Sequence, residues 1–240
     1  QFTSDLLPAD ILGVSIYKRD KDEFECHPRP IYSQVLPADE LTRATPKPHS
    51  ARLEGMAEGQ VTIENETHVL PSPFFVMATQ NPLDLVGTYP LPDSQLDRFL
   101  LSFSLGYPDP TAERELLTTE DRAHVLDRTT SLLTPGDVKA LQDDCEKVHV
   151  SENLLDYIQA LLQETRDERW FETGLSPRAG LALLRASRAL AFLDDRDFVT
   201  PEDVKTVFNG LARHRLSPTS GFSQSPDEQI QELLGQVPIP

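Results

Sequence analysis

The sequence predicts an α/β first half followed by an all-helical second half. Three observations carry this. Short apolar runs rich in strand formers alternate with a capped helical segment in the first hundred residues. The stretch "GYPDPT" then sets Gly106, Pro108 and Pro110 close together and interrupts the pattern. Beyond it, hydroxyl residues recur in front of helix-compatible segments. With 240 residues, 38% of them apolar, the chain can bury a core and holds more than one domain.

Taken in order, Val14, Ile16 and Tyr17 and then Phe24 and Cys26 flank a charged turn, which predicts a short β insertion. "VLPA" is a brief apolar run that ends on the acid pair Asp39–Glu40. Thr45–Pro46 supplies an N-cap and a proline at the first helical position, Leu53 and Met56 give an apolar edge, and Gly59 suits the stop, so a helix is expected there. "QVTIENETHVL" alternates at Val61 and Ile63, turns near Glu64–Asn65–Glu66 and resumes at Val69, the pattern of a hairpin. "FFVMATQNP" reads as a buried strand with a polar exit at Thr79, Gln80 and Asn81. "PDSQLDRFLLSFSL" reads as a short helix running into a further strand over residues 99–105, and the domain boundary follows at 107/108.

In the second half, Thr134–Pro135, Ser151, Ser176–Pro177 and Thr200–Pro201 each predict a helix start. Leu154, Ile158, Leu161 and Leu162 form one apolar stripe; Leu181, Leu184 and Leu190 with Ala182 and Ala189 form another. Both read as core. Residues 217–240 open with "SPTSGFSQSPDEQ" and read as a linker or loose tail.

Composition excludes several classes. Lys plus Arg is 22 against 39 Asp plus Glu, and a net charge of -17 would repel a phosphate backbone, so no nucleic acid is expected as partner. No apolar run is long enough for a membrane span, and the start lacks the basic and apolar regions of a signal peptide, so a cytoplasmic location is expected. Cys26 and Cys145 are too few for a disulfide framework. His49, His68 and His149 show no ligand spacing. The chain opens on Gln1, which suggests a start inside a longer reading frame or a processed product.

Asp–Glu pairs also occur at 22–23, 167–168 and 227–228, in polar surroundings where solvated acids are the ordinary reading. Asp39–Glu40 differs by its place. In open α/β sheets ligands bind beyond the carboxyl ends of strands, and both this pair and Asn81 fall at such ends on neighbouring strands. In a nucleotide hydrolase such an Asp holds Mg²⁺, the next carboxylate orients and deprotonates water, and a neighbouring amide helps to place it. Taken alone, Asn81 before Pro82 reads equally as a turn residue, and Arg98 as the partner of Asp97 in a surface ion pair. Arg178 sits near a helix start, where a cation is disfavoured by roughly 0.3–1 kcal/mol and a bound anion would relieve it; a solvated surface arginine is the other reading.

The stretches "FTSDLLPADILGVSIY", "ADELTRATPKPHSARLEGMAEGQVTI", "ETHVLPSPFFVMATQNP", "GTYPLPDSQLDRFLLSFSLGYP" and "LSPRAGLALLRASRALAFLDDRDFVTPEDVKTVFNGLARHRL" together resemble the MoxR family of AAA+ ATPases, in the family's order and spacing. The resemblance implies a partial AAA+ nucleotide-binding sheet domain over residues 1–107, a helical lid over 108–216 and a tail over 217–240. It implies ATP and Mg²⁺ as ligands and a homo-oligomeric ring, a hexamer. It also implies remodelling of client proteins, often with partners carrying a von Willebrand factor A domain. Position by position, Asp39 and Glu40 resemble the Walker B acids, with Asp39 on Mg²⁺, and Asn81 resembles the sensor-1 amide. Arg98 resembles the arginine finger and Arg178 the sensor-2 arginine.

Two departures stand beside this. Pro37 removes a ladder donor from the Walker B strand, so a bulge, an early strand end or a weakened site is expected. No G-x-x-x-x-G-K-[ST] loop occurs in the 240 residues, and a truncated copy, inactive by itself, is expected. A non-catalytic subunit that docks into rings as a regulatory module is the alternative reading.

Overall fold

A computed structural model describes residues 3, 7–13, 15–18, 23–26, 30–43, 55–56, 58–63, 66–81, 88–118, 128–219 and 225–239. The chain divides into two compact units, Gln1–Phe99 and Leu100–Pro240. The first unit carries α1 (Pro8–Leu12), β1 (Ser15–Lys18), β2 (Glu23–Cys26), β3 (Val35–Ala38), β4 (Gln60–Ile63), β5 (Glu66–Val69), β6 (Phe75–Ala78) and α2 (Asp93–Leu96).

β1 and β2 pair antiparallel, Ser15 opposite Cys26, as the alternation over 14–26 predicts; their connecting turn lies outside the described residues. β4 and β5 form the second expected hairpin, Gln60 opposite Val69, with Glu66 opening β5 rather than sitting in the turn. Of the helix expected between β3 and β4, Thr45, Pro46 and Leu53 lie outside the described residues, while Gly55, Met56 and Glu58 are helical. Gly59 ends it at φ 64° and donates its N–H to the Gly55 carbonyl at 3.0 Å, a left-handed stop that glycine takes without a Cβ penalty.

β3 and β6 run parallel in register, Val35 opposite Phe75 through Ala38 opposite Ala78. Phe75 N–H donates to the Gln34 carbonyl at 2.8 Å and Thr79 N–H to the Ala38 carbonyl at 3.1 Å. Parallel ladders alternate, so Leu36 and Ala38 turn their backbone groups toward β6 while Val35 and Pro37 turn theirs to the other edge. Pro37 therefore lacks a donor only on the side away from β6, and neither the bulge nor the early strand end expected of it forms. Leu36 and Ala38 are buried, and Ala38 packs into a core with Ile31, Leu41, Val61 and Leu70. β6 is not the fully buried strand expected from "FFVMA". Val76 and Ala78 pack on that core, but Phe75 and Met77 are 58% and 54% exposed, because only one face of the strand is covered.

The second unit contains α3 (Pro110–Thr118), α4 (Pro135–Cys145), α5 (Glu152–Glu164), α6 (Pro177–Leu193), α7 (Pro201–Ala212) and α8 (Pro226–Gln236). Thr134, Ser151, Ser176 and Thr200 cap α4 to α7, each hydroxyl accepting a backbone N–H of the first turn; such a cap contributes about 1 kcal/mol. α6 packs most extensively on α7 and also touches α4 and α5. The α5 stripe is the expected one, with Leu154, Ile158 and Leu161 buried. On α6 the buried face is Ala179, Gly180, Leu183, Ala186, Ser187 and Ala191, whereas Leu181 points outward. The small residues decide this: a Cβ at Gly180 would lie 2.7 Å from Leu162 Cδ1, so the helix approaches α5 closely along that side.

Two expectations fail here for physical reasons. Residues 99–105 form no strand. Ser102 N–H donates to the Gly210 carbonyl of α7 at 2.7 Å and Arg215 Nη1 to the Leu100 carbonyl at 3.2 Å, while Phe103 and Leu105 stand largely exposed, so the backbone bonds to a helix end instead of a ladder. The loose tail read from residues 217–240 contains α8, capped by Ser225 with Glu228 in a capping box, its Ile230 and Leu233 fully buried in the helical core. No helix among the described residues is long and apolar enough to cross a membrane.

Candidate functional site

At the carboxyl end of β3 the chain turns sharply. Glu40 adopts φ 54°, in the left-handed region where a residue with a Cβ is strained by roughly 1–3 kcal/mol, and the 3-10 turn Leu41–Arg43 follows. Leu41, 1% exposed, anchors that turn in the core. The corner is held from the neighbouring strand by one residue. Thr79 leaves β6 opposite Asp39 and makes four hydrogen bonds to the turn. Its N–H donates to the Ala38 carbonyl at 3.1 Å, and its carbonyl accepts from Leu41 N–H at 3.0 Å. Its hydroxyl donates to Asp39 Oδ1 at 2.6 Å and accepts from Glu40 N–H at 3.0 Å. A hydroxyl has one proton, so these two bonds give it a single orientation: amide to hydroxyl to carboxylate.

The Glu40 carboxylate lies 3.1 Å from Arg43 Nε on the turn it opens, with 23% of its side chain exposed. Tyr89 N–H donates to the Thr42 carbonyl at 2.6 Å, which brings the stretch after β6 back against the same corner. Asn81 follows Thr79 by two residues and is exposed at this end of the sheet. Thus β3 and β6 bring Asp39, Glu40 and the strand exit bearing Asn81 to one edge. Arg98 belongs to the same unit, just past α2, half-buried, its N–H donating to the Gln95 carbonyl at 3.3 Å. Arg178 is in the other unit, exposed in the first turn of α6, beside the Ser176 cap whose hydroxyl accepts from Ala179 N–H at 3.1 Å.

Among the described residues no three His, Cys, Asp or Glu side chains gather as a metal cage. Mg²⁺ keeps most of its waters and takes one or two carboxylates together with substrate phosphates. Asp39 is exposed, its Oδ1 oriented by Thr79, so it has the chemistry of a single carboxylate ligand. Thr79 is the residue that reading for acids and amides missed. Its signal was present: in parallel register the hydroxyl in "ATQN" falls opposite Asp39.

The ATPase family associated with various cellular activities (AAA) matches residues 1–101, and the AAA lid domain matches residues 163–233. The uncharacterized protein YeaC of Bacillus subtilis (strain 168) is 40% identical over 243 residues, covering 100% of this chain and 76% of that one. Chaperone MoxR1 of Mycobacterium tuberculosis (strain ATCC 25618 / H37Rv) is 40% identical over 256 residues, covering 100% of this chain and 66% of its own length. The crystal structure of a candidate ATPase from Cytophaga hutchinsonii ATCC 33406 superposes with a TM-score of 0.87 at 36% identity, covering 100% of this chain and 76% of that one.

Proposed function

Because the chain belongs to the MoxR family of AAA+ ATPases, we propose that the corner where β3 meets β6 serves ATP hydrolysis in the full-length protein, which couples turnover to remodelling of partner proteins. The observation that carries this reading is the Asp39–Glu40 pair at the carboxyl end of a parallel strand, clamped by Thr79 on the strand whose exit bears Asn81. Asp39 would hold Mg²⁺, which when bound would neutralise charge developing on the transferred phosphate. Glu40 takes the proton of the attacking water, and Asn81 positions that water from the neighbouring strand. Arg98 serves the nucleotide of an adjoining subunit in a ring, taken as a hexamer, and Arg178 contacts phosphate from the lid. The Mycobacterium relative is named a chaperone, which supports a client-remodelling role; proteins carrying a von Willebrand factor A domain are the proposed partners. The regular passage of Pro37 through the ladder removes one reason to favour the non-catalytic alternative.

The test is Glu40→Gln in the full-length protein. An amide keeps the shape and loses the base, so ATP binding is expected to persist while turnover falls by about 10²–10⁴. Hydrolysis at the unmodified rate would overturn the assignment.

A further inference from the structure

We propose that Thr79 is a positioning residue for hydrolysis, fixing the geometry of both acids through one hydroxyl; this rests on the reading of Asp39 and Glu40 given above. The hydroxyl joins two things that would otherwise be soft. Asp39 is exposed, and an exposed carboxylate samples its rotamers unless something holds it; the 2.6 Å bond from Thr79 Oγ1 to Oδ1 restrains it and does not use Oδ2. Glu40 occupies a left-handed backbone conformation that L side chains rarely adopt, and its N–H is held there by the same oxygen at 3.0 Å. The backbone bonds of Thr79 to Ala38 and Leu41 bracket the corner on either side, so the clamp is referenced to the sheet ladder and not to a loop.

Strain at a non-glycine residue persists only where surrounding bonds over-determine it, and here four bonds at the corner come from Thr79, two from its backbone and two from its hydroxyl. The Thr79 hydroxyl gives its one proton to Asp39 and accepts from the Glu40 N–H, so it is placed to act through those two residues. Its loss is therefore expected in the chemical step and in Mg²⁺ dependence, not in nucleotide affinity. Groups that orient a metal ligand from behind typically account for about 10–100-fold in activity or metal affinity.

The experiment compares Thr79→Val, Thr79→Ser and Glu40→Gln in the full-length protein, by steady-state ATP hydrolysis across a Mg²⁺ titration. Valine keeps the shape and removes both hydroxyl bonds; serine restores them. Thr79→Val is expected to lower kcat about 10–100-fold with KM within about threefold and to raise the Mg²⁺ concentration for half-maximal rate, while Thr79→Ser stays within about threefold of the unmodified protein on all three. Should the valine variant fail to fold, Thr79→Ala serves the same comparison, since the position is exposed. The proposal is overturned if Thr79→Val turns over like the unmodified protein while Glu40→Gln is dead. It is equally overturned if serine is as impaired as valine, which would mark a purely structural threonine. If Glu40→Gln itself hydrolyses at full rate, the hydrolytic reading of the corner fails and this inference fails with it.

Discussion

Asp203 is 4% exposed and sits in a capping box at the start of α7. Burial disfavours its charged form, yet the Arg196 guanidinium donates to both oxygens, at 2.7 and 2.5 Å, and Thr200 adds its N–H and hydroxyl at 2.7 and 2.8 Å. Together these hold the carboxyl below the usual carboxylate range. A group whose folded pKa lies below its unfolded value contributes stability that is full above the unfolded pKa, about 3.9 for Asp, and is lost as pH falls through the folded value. Asp203→Asn should therefore cost the helical unit about 3 kcal/mol at neutral pH, the low end for breaking a buried pair because Arg196 keeps some solvent contact. It should also flatten the acid limb of stability below about pH 4. Urea unfolding at pH 7 and pH 3 checks both, and a variant as stable as the parent at pH 7 refutes the account. The same kind of residue shows where sequence reading ends. Asp39 and Glu40 announce themselves as acids at a strand end. Thr79 is an ordinary hydroxyl until register places it opposite Asp39.

Helix starts were legible because an N-cap bonds within its own first turn, so "TPGD", "SPRA" and "TPED" carry the whole signal locally. Faces and partners were not, because they depend on what arrives from elsewhere. α6 has Leu and Ala on every side, and its buried face is chosen by the small residues that admit α5 and α7. Leu183→Ala should thus cost about 2–5 kcal/mol while Leu181→Ala, at an exposed position, stays within about 0.5 kcal/mol; equal costs in chemical denaturation would show that the face is misplaced. α8 carries its capping box at Ser225–Glu228 amid Ser, Pro and Gly that read as a tail, and only the burial of Ile230, Leu233 and Leu234 in the core reveals its role. The alternation of Leu101, Phe103 and Leu105 has the period of a strand, but period without a neighbour makes no ladder. The link between α5 and α6 adds a case of close backbone approach. A Cβ at Gly174 would lie 2.7 Å from Arg166 Cα and 2.8 Å from the Thr165 carbonyl oxygen, both backbone atoms that cannot rotate away. Gly174→Ala is expected to destabilise by about 1–3 kcal/mol, read as a lowered midpoint in thermal or urea unfolding.

At the scale of the assembled molecule, the proposed site needs a cation to meet the charge that develops on the transferred phosphate. Arg43, on the turn that Glu40 opens, is engaged with the Glu40 carboxylate at 3.1 Å. Arg98, anchored by the turn after α2 in the same unit, is the proposed donor to a neighbour's nucleotide in a ring. An arginine acting in trans contributes about 10³–10⁵ to the rate of phosphoryl transfer by stabilising transition-state charge, so Arg98→Ala should suppress hydrolysis far more than nucleotide binding. Suppression alone does not tell a trans role from a broken ion pair within one subunit. Mixing does. Arg98→Ala and Glu40→Gln subunits of the full-length protein are each expected to be nearly inactive, yet in a mixed ring some interfaces join an intact Glu40 on one subunit to an intact Arg98 on the next. With equal, random mixing about one quarter of the interfaces are complete in a head-to-tail ring, so activity should return toward that fraction and vary with the mixing ratio. If ring formation is verified and no activity returns at any ratio, Arg98 works within its own subunit and its part in the proposed function is withdrawn.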